Sequence, residues 1–202
     1  MTAARRWTTV GGVVALVLLL DQLSKWWAVE RLCDAPYCPE YVDRAIDVLW
    51  TLRFNYAENT GMAFSRGAGG GRVIALFVIA IVVVLVAFAR RMTSTLQLVL
   101  VGVVIGGALG NLLDRIFRAH GGTFLSGAVV DFIDVQWWPI FNVADACVVV
   151  GGIALALTGL REPRSDDPPP SDADGPPTPS NDEVVDRMTA PEGDPSEPGA
   201  AG

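Results

Sequence analysis

The chain has 202 residues, 51% of them hydrophobic, and a mean hydropathy of +0.39, yet its formal charge is −7, so the average conceals two unlike parts. Residues 161–202 hold 11 acidic and 3 basic side chains, 10 of the 13 prolines and no aromatic residue, which leaves residues 1–160 a net charge of +1. The acidity belongs to a tail that cannot bury enough apolar area to offset the entropy of ordering and is expected to be disordered; the low pI therefore says nothing about acidic substrates, and no nucleic-acid partner is expected.

Four apolar runs fill the remainder, roughly 7–27, 73–89, 96–113 and 143–160. Each is near the length a helix needs to cross a bilayer at about 1.5 Å per residue. The chain reads as an α-helical integral membrane protein with four transmembrane helices over 1–160. The first run carries Asp21 and lacks a convincing small-residue cleavage site, so it reads as a retained span and not a signal peptide. Arg5 and Arg6, Arg90 and Arg91, and Arg161 and Arg164 flank the spans on one side, which makes both termini cytoplasmic. The other side then carries the loops 28–72 and 114–142, with Arg31, Arg44, Arg53, Arg66, Arg72, Arg115 and Arg118 as candidates for binding roles.

Span one ends in Asp21-Gln-Leu-Ser-Lys25-Trp26-Trp27, where Asp21 and Lys25 share a helical face and read as an internal ion pair. A Ser24 and Lys25 catalytic pair is disfavoured because adjacent helical residues point about 100° apart. Cys33 and Cys38 suit a small disulfide-closed loop in an oxidising compartment. From Val48 to Phe54 a period of two reads as one external β-strand with Val48, Trp50, Leu52 and Phe54 on its apolar face. Asn59-Thr-Gly61 then marks a tight turn, whose Asn59 amide can both donate and accept.

Residues 67–71, Gly-Ala-Gly-Gly-Gly, read as a hinge without the lysine a phosphate loop needs. Span three has Gly102, Gly106 and Gly110 at spacings of four, which lets neighbouring helices approach closely. It ends in Asn111-Leu-Leu-Asp114-Arg115, where Asp114 and Arg115 form an interfacial ion pair, or else position Asp131 or bind substrate. Span four opens on Asn142-Val-Ala-Asp145; Asn142 and Asp145 face the same way, with Val149 and Gly152 continuing that face, while Cys147 points elsewhere as a small buried hydrophobe.

Chemistry concentrates on Asp131 and Asp145, two carboxylates at the edge of an apolar run, where an isolated charge costs several kcal/mol. If they converge, like charges cannot both ionise, so the pair shares one proton near neutral pH. The ionised member can deprotonate a water while the protonated member donates to a carbonyl oxygen, which is acid and base catalysis of amide hydrolysis. The alternative is that Asp145 caps the last helix and the two never meet. His120 is the only histidine, so a His-rich zinc site or a Ser-His-Asp triad has little to build on, and no metal or cofactor is expected. A proton-coupled carrier using Asp21, Asp131 and Asp145 is the reading from another class, but the polar groups cluster at one face and spans two and three lack a central carboxylate.

These stretches together resemble the lipoprotein signal peptidase (signal peptidase II) family. The likeness covers about residues 12–160 and rests on Asp21-Gln-Leu-Ser-Lys25, Asn59-Thr-Gly-Met-Ala-Phe-Ser65, Gly106-Gly-Ala-Leu-Gly-Asn111-Leu-Leu-Asp114-Arg115, Val129-Val-Asp131-Phe and Phe141-Asn142-Val-Ala-Asp145. The resemblance implies a bacterial cytoplasmic-membrane aspartyl endopeptidase that cleaves prolipoprotein signal peptides before a diacylglyceryl-modified cysteine, and a four-helix fold with a small external β-sheet cradle. It implies Asp131 and Asp145 as the catalytic pair, Asn59, Asn111, Arg115 and Asn142 as groups that orient the pair or hold the substrate backbone, and Asp21, Lys25 and Asp114 as structural support. A monomer in contact with membrane lipid is expected. The Cys33 to Cys38 segment and the acidic tail depart from the family pattern.

Overall fold

In the computed structural model the described residues are 2–33, 44–61, 70–118 and 124–159. The expected partner Cys38, the histidine His120, Arg66 and the tail 161–202 lie outside them. Among the described residues four helices form: α1 (Ala3–Leu32), α2 (Gly70–Ala89), α3 (Thr95–Phe117) and α4 (Val143–Gly159). The first three are long and apolar enough to span a bilayer, and α4 is an apolar helix of 17 residues, at the short end of what a bilayer core requires. The glycine run expected as a hinge contributes Gly70 and Gly71 to the first turn of α2.

α3 is the central helix, packed on α1, α2 and α4. Its glycines set the spacing. A β-carbon at Gly102 or Gly106 would come within 2.9 and 2.7 Å of Val13 and Val17 on α1, and one at Gly110 within 2.5 Å of the Asp21 carboxylate. Gly107 does the same toward α4, where a β-carbon would sit 2.5 Å from the Ala144 carbonyl. On α4 the close approach is Gly151, against Val103 and Val104. Cys147 is half-buried, beside Gly107.

Among the described residues three strands form one antiparallel sheet in the order β1 (Ile46–Leu49), β2 (Leu52–Asn59) and β3 (Val129–Asp134). The single strand expected from Val48 to Phe54 is instead a hairpin, with Leu49 paired to Leu52 across Trp50 and Thr51. Trp50 takes a φ of 47° and is fully exposed. The alternation continued across a two-residue turn, which hides a reversal of direction from any pattern of period two. β2 pairs with β3 so that Ala57 opposes Asp131 and Asn59 opposes Val129.

Two apolar clusters hold the ends. At one, Val10 of α1 meets Ala89 of α2 and Leu98, Val101 and Ile105 of α3. At the other, Ala28 and Leu32 of α1 pack under Val130 and Phe132 of β3, with Trp27 and Phe54 ring to ring at 5.1 Å. The sheet thus sits on the far end of α1, which carries Asp131 on β3 to the first turn of α4.

Candidate active site

Asp145 enters the site through helix capping. Asn142 precedes α4, and its side-chain Oδ1 accepts from the Asp145 N–H at 2.9 Å, while Asp145 Oδ2 accepts from the Asn142 N–H at 3.2 Å. This reciprocal pair is a capping box built from Asn and Asp. The next free N–H, that of Ala144, goes to Asp21 Oδ1 at 3.0 Å. Capping and convergence with Asp131 are therefore compatible, because the cap leaves Asp145 Oδ1 facing Asn111, whose Nδ2 donates to it at 2.7 Å.

Asp131, in the buried middle of β3, meets the same network from the other side. Asn142 Nδ2 donates to Asp131 Oδ1 at 2.7 Å and also reaches Asn111 Oδ1 at 3.1 Å. The Asn59 amide also acts on Asp131, favouring its charged form. Asn59 spends its own Oδ1 on the Gly61 N–H at 3.0 Å, in a turn where Gly61 has a φ of 76°, so the remaining NH2 is the end that faces the carboxylate. Burial, and then the nearby Asp145 charge, push the Asp131 carboxyl up to about 7, against the opposing pull of Asn59, Asn142 and Lys25.

A buried ion cluster lies beneath. Lys25 Nζ contacts Asp21 at 2.9 Å, Asp114 at 2.8 Å and Asn111 Oδ1 at 2.9 Å. The expected Asp21–Lys25 pair is present, but Asp114 does not pair with Arg115 as one alternative held. Adjacent positions on a helix diverge, and Asp114 turns to Lys25, to Arg118 at 3.2 Å, and to the Val130 N–H at 3.3 Å. It thereby pins the residue before Asp131. Ser24 donates back to the Asp21 carbonyl at 2.8 Å, so it makes no pair with Lys25.

Arg115 is buried within the field of Asp131, Asp114 and Asp145. Its Nη1 donates to the Gly127 carbonyl at 3.3 Å and lies where a β-carbon on Gly71 would come within 3.0 Å of it. Arg53, another candidate for binding, pairs with Asp134 at 2.7 Å at the far end of β2 and β3. A cavity of about 370 Å³ opens from this cluster, with Asn59, Asn111, Arg115 and Asp145 as its polar end. Ile74 and Val78 of α2, Val104 and Ala108 of α3, and Val148 and Val149 of α4 form its apolar walls.

The sequence brought forward the charged residues and asparagines of this network, but not Gln22, whose Nε2 donates to Asp21 Oδ2 at 3.1 Å and to Asp114 Oδ1 at 3.4 Å, and not the bond from Lys25 to Asn111. Those residues lie 86 positions apart on different helices, and no local spacing carries that signal.

Comparison with known proteins is consistent with this geometry. A family model described as Signal peptidase (SPase) II matches residues 13–161. A lipoprotein signal peptidase of Mycobacterium avium (strain 104) is 42% identical over 156 residues, covering 77% of this chain and 81% of that protein. One from Rhodococcus jostii (strain RHA1) is 38% identical over 148 residues, covering 73% and 70%. A solved bacterial membrane enzyme superposes with a TM-score of 0.61 at 25% identity, covering 77% of this chain and 94% of its own.

Proposed function

This chain belongs to the signal peptidase II family, a multi-pass membrane peptidase family acting on lipoprotein precursors, and from that membership we propose an aspartyl endopeptidase that cuts before a diacylglyceryl-modified cysteine, with Asp131 and Asp145 as its catalytic pair. The observation that carries the reading is the bridge between them: two carboxylates from β3 and α4, joined through Asn142 and Asn111, beside a cavity with apolar walls.

The roles follow from the surroundings. Asp145 lies in the first turn of α4, where the helix dipole and two N–H donors favour negative charge; it takes the proton of the attacking water. Asp131 keeps its proton near neutrality and donates it to the scissile carbonyl oxygen, so water adds across the C=O without a covalent enzyme intermediate. As the C–N bond breaks, Asp145 returns its proton to the leaving nitrogen and Asp131 recovers its own from the hydroxyl. Arg115 supplies fixed positive charge beside the pair and a donor for a substrate carbonyl.

The apolar cavity suits a lipid-bearing residue presented at the bilayer edge. The arginine pairs near the α1 start and the α2–α3 turn support a cytoplasmic position for that end, and with it a reading in which the sheet and the pair lie at the external face of the bacterial cytoplasmic membrane. A monomer is the proposed working unit.

Purified protein in lipid should cleave a diacylglyceryl-modified prolipoprotein and leave the unmodified precursor intact, read by product mass. Equal cleavage of both would remove the lipid from the recognition step, and cleavage of neither would remove the function.

A further inference from the structure

We infer that Lys25 is a positioning residue: by holding the Asn111 carbonyl, a buried ammonium on α1 turns the Asn111 NH2 onto Asp145 and so sets the donor pattern around a pair contributed by β3 and α4. This rests on the proposed role of Asp131 and Asp145.

Donor and acceptor counts fix the orientation of the Asn111 amide. A lysine ammonium has three N–H donors, and Lys25, fully buried, directs them to Asp21, Asp114 and Asn111, all within 2.9 Å. An asparagine amide has two unlike ends. Asn111 meets donors on one side, Lys25 Nζ at 2.9 Å and Asn142 Nδ2 at 3.1 Å, and an acceptor on the other, Asp145 Oδ1 at 2.7 Å. Turned around, its NH2 would face the ammonium and its carbonyl would face a carboxylate, so every contact would be repulsive. Without Lys25, the carbonyl keeps only the longer bond from Asn142, and the reversed amide becomes accessible. The carbonyl would then press on the Asp145 carboxylate, and the pair would lose a donor that favours its charged form.

A bare Lys25→Met would strand the Asp21 charge, so the cleaner variant is Asp21→Asn with Lys25→Met. It removes one charge of each sign, keeps an amide oxygen for the Ala144 N–H, and leaves Asp114 with Arg118. The charged groups then facing the pair are Asp114 and Arg115 from α3, with Asp131 and Asp145 facing each other from β3 and α4. Asp21→Asn alone measures what losing the Asp21 charge does, and the parent supplies the baseline.

The readout is the carboxyl infrared band against pH, which needs no turnover, together with the pH profile of cleavage. The two ionisation steps belong to the pair as a whole. In the double variant, whose net charge equals the parent's, the first step is expected to rise by about one pH unit, a tenfold change in proton affinity, relative to the parent, and kcat to fall at least tenfold with KM unchanged. A double variant that melts earlier but titrates and turns over like the parent would overturn the inference. Intact titration in a wild-type protein that cleaves no precursor would sink the protease reading instead and leave this one standing.

Discussion

At the residue scale the site is a set of amides whose orientations are dictated by their partners. Asn59, Asn111 and Asn142 each present an NH2 to a carboxylate, and each has its carbonyl engaged elsewhere, by Gly61, by Lys25 and by the Asp145 N–H. Such donors stabilise carboxylate charge, whereas burial and the neighbouring Asp145 act against it at Asp131, and burial is the larger effect. The sign for pH dependence follows. With Asp131 held near 7, the acid form is present below that value and lost above it, so kcat/KM of the free enzyme is expected to fall as pH rises through about 7. Asp145→Asn removes the charge that raises Asp131, so the residual carboxyl should titrate lower; infrared titration of that variant checks it. Helical spacing made these residues legible, because Asn142 and Asp145 lie three apart, as do Asn111 and Asp114. Their joining across chain distance was not legible from spacing and came only through family likeness.

At the element scale the glycine face of α3 decides how closely α1 and α4 approach. Gly107 is the sharpest case, since the atom opposing a new β-carbon is the backbone oxygen of Ala144, in the turn that holds Asp145. Gly107→Val is expected to cost about 1–3 kcal/mol by overpacking and to lower kcat by displacing that turn. Gly152→Ala, which faces open space, should leave both unchanged. Thermal unfolding and single-turnover cleavage separate the two effects. The four helices were legible as apolar runs, yet the hairpin at Trp50 was not. Alternation survives a two-residue turn, and only the positive φ at a fully exposed tryptophan reveals the reversal. Gly107 was hidden for a related reason, as a spacing of four picks out one face of a helix that packs on two.

At the scale of the whole molecule, a sheet seated on the end of α1 carries one carboxylate to a helix that carries the other, while the sequence 161–202 is rich in acidic residues and proline and holds no aromatic residue. Deletion after Arg164 is expected to leave cleavage within about twofold, because such a segment has no core to contribute; a large loss in the same assay would make the tail functional. The membrane architecture explains why so little of the polar sequence is spare. Buried charge is tolerated where each group is paired, and Lys25, Asp21 and Asp114 meet that condition at the base of the site. The claim on which the rest depends is that Asp131 and Asp145 act as one acid and base pair. Its most direct test is the cleavage rate of a diacylglyceryl-modified prolipoprotein by purified Asp131→Asn and Asp145→Asn variants whose thermal unfolding matches the parent. Each is expected to lose about 10²–10⁴-fold or more in kcat, as removal of an acid or base does; turnover near the parental rate in either folded variant would contradict it.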